Sequence, residues 1–163
     1  MIILGIDPGY AIVGYGIVEC NNGRSRPLGY GAIRTSKDMA MAERLKQIGE
    51  GIDTLIAHYS PDAIAVEELF FHTNQKTAIK VAQARGVILY KASVANVILY
   101  EYTPLQIKQA ITGYGRADKR QIQEMVKVML GLSAIPKPDD ASDALAVALT
   151  HSQTDRLSAL FKV

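Results

Sequence analysis

The sequence predicts an α/β fold built on a five-stranded mixed sheet with helices packed on its faces. Three observations carry that reading. The chain opens with three strand-like segments separated by turn residues, the first of them apolar and β-branched; two short apolar segments then alternate with long stretches of helical periodicity; and the remainder is helical in pattern.

Ile2–Ile6 alternates apolar residues as a strand should, and Asp7-Pro8-Gly9 ends it in a turn. Tyr15–Glu19 is the second strand, Asn22-Gly23 a hairpin turn and Leu28–Ile33 the third strand of an antiparallel meander. Leu45, Ile48, Ile52, Leu55, Ile56 and Tyr59 recur at helical spacing, predicting an amphipathic helix over 40–59 that ends at Ser60-Pro61. Ala63–Val66 is a short buried strand. Residues 75–93 form a helix whose internal Gly86 marks close packing, and Val97–Tyr102 is the last strand. Thr103-Pro104-Leu105-Gln106 has the form of a capping box with proline at the first helical position, so a helix runs to Thr112. Gly113-Tyr114-Gly115-Arg116 is a loop. Asp118 caps a further helix with Ile122, Met125, Val126, Met129 and Leu130 on one apolar face, and Gly131 is its C-cap. A last helix begins at Asp139 or Asp140. The resulting order, β-β-β-α-β-α-β-α-α-α, is that of a ribonuclease H-like domain, and residues 1–163 are expected to form one such domain.

Composition narrows the function. With 48% hydrophobic and 21% charged residues the chain has ample material for a core. Its apolar runs are far shorter than the ~20 residues a bilayer span needs, so no membrane association is expected. Asp7 interrupts the apolar start, which argues against a secretory signal, and the single Cys20 allows neither an internal disulfide nor a cysteine metal cluster. A cytoplasmic protein is expected. The net charge is only +2 but unevenly spread: residues 1–70 hold six Lys/Arg against nine Asp/Glu, residues 71–120 eight against two, and residues 121–163 four against five. A basic middle beside acidic flanks suits an enzyme that gathers phosphates with cations and cuts them with carboxylate-held metal.

The acids lie at element ends. Asp7 closes one strand, Glu67 and Glu68 close another, and Asp139, Asp140 and Asp143 open a helix. Asp140 and Asp143, three apart, project from one side of a helical turn, as do Asp139 and Asp143, four apart. If the first and fourth strands are neighbours, Asp7 and Glu67 reach the same turn and complete an oxygen-only cage suited to Mg²⁺ or Mn²⁺. Singly, each acid has an ordinary explanation as a helix cap or turn residue. Glu67 is the exception, because a carboxylate after Ala63-Ile64-Ala65-Val66 is partly buried and needs a partner.

Gly5-Ile6-Asp7-Pro8-Gly9 with Gly14-Tyr15-Gly16, Ala65-Val66-Glu67, Gln83-Ala84-Arg85-Gly86 and Asp140-Ala141-Ser142-Asp143-Ala144-Leu145-Ala146 together make the chain resemble the RuvC family of crossover (Holliday) junction endodeoxyribonucleases over essentially its whole length. The resemblance implies a structure-selective endonuclease of recombination and repair that resolves four-way DNA junctions by paired, symmetric nicks. It carries the family's metal-binding carboxylates over to Asp7, Glu67, Asp140 and Asp143, leaving Glu68 and Asp139 as neighbours. It implies Mg²⁺, with Mn²⁺ substituting, as two ions that activate water against the phosphodiester. Phe70, three positions after the strand-end glutamate, matches an aromatic acting at the crossover, and Lys108 and Lys119 match DNA-contacting lysines. Arg116 and Arg120 are near Lys119 in the chain and are expected to join them. A homodimer and a branch-migration complex of the RuvA and RuvB type are the implied partners. His58, His72 and His151 lie outside the motifs and are expected in surface or capping roles; Met125 and Met129 are expected in the core. A junction-binding module without catalysis is disfavoured, since clustered acids repel phosphate unless metal neutralises them. An actin- or sugar-kinase-like ATPase needs two such domains, which 163 residues cannot hold.

Overall fold

The computed structural model describes residues 1–69, 75–154 and 163. Its elements are β1 (Ile2–Asp7), β2 (Ile12–Asn21), β3 (Arg24–Arg34), α1 (Met41–Tyr59), β4 (Ala63–Glu67), α2 (Gln75–Val94), β5 (Ile98–Tyr102), α3 (Pro104–Thr112), α4 (Lys119–Met129) and α5 (Asp139–Thr154). The expected order holds throughout, with β2 and β3 longer than the apolar pattern suggested, because their ends pair with each other beyond the buried stretch. Asn22 and Gly23 take φ of 50° and 77°, the two left-handed positions a tight hairpin turn requires.

The sheet order is β3-β2-β1-β4-β5, antiparallel across the meander and parallel from β1 through β4 to β5. Each face buries its own hydrophobic core. Leu4, Ile6, Val13, Ile17, Ile64 and Val66 meet α1 and α2 on one side. Ile3, Val18, Ala65 and Tyr102 meet α3, α4 and α5 on the other. Strand side chains alternate between faces. Asp7 therefore shares the α5 face with Ile3 and Gly5, and Glu67 shares it with Ala63 and Ala65.

Helix α5 is buried on almost every side from Ala141 to His151, the signature of a central helix, and Asp143 alone in that stretch is half-buried. Its approach to the sheet depends on glycine. A Cβ at Gly5 would lie 2.1 Å from the Ala144 carbonyl oxygen, and one at Gly14 would lie 2.0 Å from that of Asp140. Gly14→Ala must push the first turn of α5 off the sheet. We expect a stability loss of about 1–3 kcal/mol, read as a fall in Tm of several degrees.

Four expectations need correction. Gly86 faces open space and is not a packing contact. Met125 is 37% exposed, because it lies at the edge of the apolar face of α4 where Val126 takes the buried position. The cap of α4 is Leu130, with Gly131 in the left-handed conformation one residue later. His151 is a core residue: it is 1% exposed, Tyr102 Oη lies 2.7 Å from its Nδ1, and the Tyr100 ring packs against it at 4.3 Å between centroids. An imidazole can be buried on α5 because a buried tyrosine hydroxyl pairs with it. Phe70 and His72 lie outside the described residues.

Candidate active site

Two strand ends and one helix start converge at the carboxyl edge of the parallel part of the sheet. Ile6 pairs with Val66, so continuing the parallel register sets Asp7 beside Glu67. Gly14 pairs with Asp7 across β1 and β2 and, lacking a side chain, admits Asp140 directly above it. Asp140 and Asp143 then face the strand ends from the first turns of α5. Glu67 is further fixed by its pairing with Tyr102, and the next residue donates its N–H to the Tyr102 carbonyl at 2.8 Å.

The electrostatics show how strongly these groups feel one another. Burial, followed by the charges of Glu67, Asp143 and Asp140, pushes the Asp7 carboxyl up to about 8 despite Lys119. Burial and the charge of Asp143 raise Glu67 to about 7, opposed by Lys119 and Lys108. Asp143 is also raised, chiefly by burial, although Lys119 hydrogen-bonds it. These carboxylates were gathered against their mutual repulsion, which favours a site that takes positive charge. Asp139 behaves oppositely: Lys137 Nζ donates to it at 2.9 Å and holds its pKa below the ordinary value, so it is already satisfied.

Lys119 is placed differently from a purely DNA-facing lysine. Its Nζ donates to Asp143 at 3.0 Å and lies 3.8 Å from Asp139. Burial alone would lower its pKa, but the Asp143 hydrogen bond and the surrounding carboxylates outweigh that and raise it. Lys108, on α3, lines the same cleft of about 200 Å³ with Glu67, Asp143 and Lys119, over a floor of Ile107 and Ala146. The capping box of α3 is formed as expected, with Thr103 accepting from Gln106 N–H, and it sets the phase of the helix that aims Lys108. Arg116 and Arg120 are exposed on the α3–α4 loop and the start of α4, outside that cleft; Arg120 is 4.0 Å from Glu124. Sequence reasoning passed over Tyr10, three residues after Asp7, and the Arg44 and Lys80 side chains over its ring. An aromatic three residues after a candidate metal-binding acid was the available signal.

The donor set is entirely oxygen, which fits a hard divalent cation. Among the described residues no three Asp, Glu, His or Cys side chains are already drawn into a cage. Acid placement and the raised pKa values of Asp7 and Glu67 are what mark the position.

The sequence model of crossover junction endodeoxyribonuclease RuvC matches residues 3–151. The crossover junction endodeoxyribonuclease RuvC of Alkaliphilus metalliredigens is 55% identical over 163 residues, 100% of this chain and 99% of the relative. The Thermus thermophilus RuvC structure superposes with a TM-score of 0.91 at 37% identity, covering 100% of both chains. The same protein in complex with Holliday junction substrate superposes at 0.95 with 36% identity, covering 100% of this chain and 99% of that one.

Proposed function

The chain belongs to the RuvC family of crossover junction endodeoxyribonucleases, and from that premise we propose that it resolves four-way DNA junctions by divalent-metal-dependent hydrolysis of the phosphodiester. The observation that carries the chemistry is the convergence of Asp7, Glu67, Asp140 and Asp143, with two of the carboxyls pushed to about 8 and about 7 by burial and neighbouring negative charge. In this reading those four residues hold two Mg²⁺ ions, with Mn²⁺ able to substitute. When bound, the ions activate water and stabilise the leaving oxygen. Lys119 neutralises Asp143, and Lys108 stands beside Glu67 to meet the phosphate. Incubation of the protein with a synthetic four-way junction, with Mg²⁺ or with EDTA, tests the proposal. Nicks on two strands with Mg²⁺ and none with EDTA are expected; cutting in EDTA, or intact strands in both, overturns it.

Lys108→Ala is expected to weaken junction binding several-fold at ~0.1 M salt and to flatten the salt dependence by about one counterion, because one phosphate contact is lost. Lys119→Ala carries a second expectation, since it also unbalances Asp143: cleavage falls more than binding. Titrations at several salt concentrations beside single-turnover rates check both. Arg116 and Arg120 extend the basic surface away from the cleft, and Phe70 is assigned to the crossover by family membership.

Paired nicks need two sites, and we assign the second to another copy of this chain. Helix α2 supports that choice. It contains no acid, and Ile79, Tyr90 and Val94 are 61%, 64% and 60% exposed along one face with the open Gly86 between them. Tyr90→Asp is expected to yield a monomer in sedimentation at micromolar concentration and to replace paired nicks by single ones.

Residues 1–163 act as one nuclease domain in this reading, supported by both cores sharing a single sheet. Family membership supports a RuvA and RuvB type branch-migration partner. Among the described residues no helix is long and apolar enough to cross a membrane, and a DNA substrate argues for action in the cytoplasm.

A further inference from the structure

On the α1/α2 side of the sheet, opposite Lys108 and Lys119, two cations meet over one ring. Arg44 Cζ is 5.5 Å from the centroid of Tyr10, and Lys80 Nζ is 5.3 Å from it. Arg44 is 8% exposed. A guanidinium that deep is normally matched by a carboxylate, because losing its hydration is costly. Among the described residues neither Arg44 nor Lys80 has an acid partner. Glu43, the adjacent acid, accepts the Ala40 N–H at 3.1 Å at the helix cap. The ring accounts for only part of the compensation.

The platform is built to stay in place. Thr35 Oγ1 donates to the Tyr10 carbonyl at 2.6 Å, and Thr35 N–H donates to the Ala11 carbonyl at 2.9 Å, tying the β1–β2 loop to the end of β3. Arg44 comes from the first turns of α1, Lys80 from the first half of α2, and Tyr10 follows Asp7 by three residues. Tyr10 sits in the loop that follows Asp7, so the pair of Arg44 and Lys80 lies past the carboxyl end of β1, on the sheet face opposite the one that carries Lys108 and Lys119.

We propose that Arg44 and Lys80, braced by Tyr10, form a second phosphate-binding site that grips the DNA backbone beside the scissile phosphate. The site takes a single phosphodiester, the guanidinium donating from beneath and the ammonium from the surface. It fixes the strand's course across the carboxylates, which a cation pair on one side alone would leave free to pivot. The inference rests on the reading of the chain as a junction nuclease.

The test measures binding of a fluorescent four-way junction in EDTA at several salt concentrations by the full chain, Lys80→Ala and Arg44→Gln. It is followed by a scan of the cleaved strand with single neutral methylphosphonate linkages. Each variant is expected to bind several-fold more weakly, with a salt slope reduced by about one. One methylphosphonate position near the cut should weaken the unsubstituted protein and leave Lys80→Ala indifferent. Lys80 is exposed, so its variant should keep its Tm and decides the matter even if Arg44→Gln fails to fold. A Lys80→Ala protein with the original slope and methylphosphonate sensitivity overturns the site, leaving the two cations as braces of the Tyr10 loop. In that case the unsubstituted protein still binds and cuts; failure of the unsubstituted protein to bind the junction instead removes the nuclease reading itself, and the site with it.

Discussion

Asp7→Asn is expected to lower the single-turnover cleavage rate by at least about 10²–10³-fold, the loss of several kcal/mol of transition-state stabilisation, while junction binding survives. The substitution keeps the shape of the side chain and removes the charge that a divalent ion needs. Asp7 is the group most penalised for its charge, by burial first and then by Glu67, Asp143 and Asp140. Asparagine relieves that penalty, so the metal-free variant should be as stable as the parent or more so at pH 8. Loss of rate with gain of Tm separates a functional acid from a structural one. Glu67→Gln, Asp140→Asn and Asp143→Asn should follow in rate. Asp139→Asn and Glu68→Gln should stay active, since Asp139 is already paired with Lys137. Two or more of the four retaining near-normal rates with Mg²⁺ would remove the four-carboxylate assignment.

The second large effect couples pH, metal and stability. The folded values of Asp7 and Glu67, about 8 and about 7, stand above the ordinary values of 3.8 and 4.5. Between those limits the native state holds more protons than the unfolded chain. Stability from these groups is thus fully present below about pH 4 and is lost as pH rises to about 8. A divalent ion reverses the loss, because it binds the deprotonated carboxylates and competes with their protons. Metal should therefore raise Tm by several degrees at pH 8.5 and by much less at pH 5.5, where protons hold the site. Thermal melts with Mg²⁺ and with EDTA at the two pH values check this. An equal metal effect at both would show that the coupled carboxylates are not the ligands.

Much of this was legible along the chain because it depends on local physics. The Asn22-Gly23 turn, the capping box at Thr103 and the helix cap at Asp118 are decided within a few residues and formed where expected; at Asp118 the structure adds the reciprocal bond from Gln121 that makes it a capping box too. The acids stood out because each sits where an element ends, and the spacing of Asp140 and Asp143 already put them on one helical turn. What periodicity could not rank was which apolar residue faces inward at an edge, hence Met125, or whether Gly86 meets a neighbour.

By itself the sequence determined the order and type of the elements and the six acids from which the site is drawn, since hydrophobic period, turn chemistry and capping act over short range. Only the tertiary structure decided that β1 lies beside β4 and that α5 descends onto Gly5 and Gly14. It also decided that Lys119 turns inward to Asp143 and that His151 is buried against Tyr102. Arg44 and Lys80, separated by most of α1, by β4 and by the first turn of α2, come together on Tyr10 for the same reason. Charges distant in the chain interact only when packing brings them together and strips their water, and no local pattern encodes that distance.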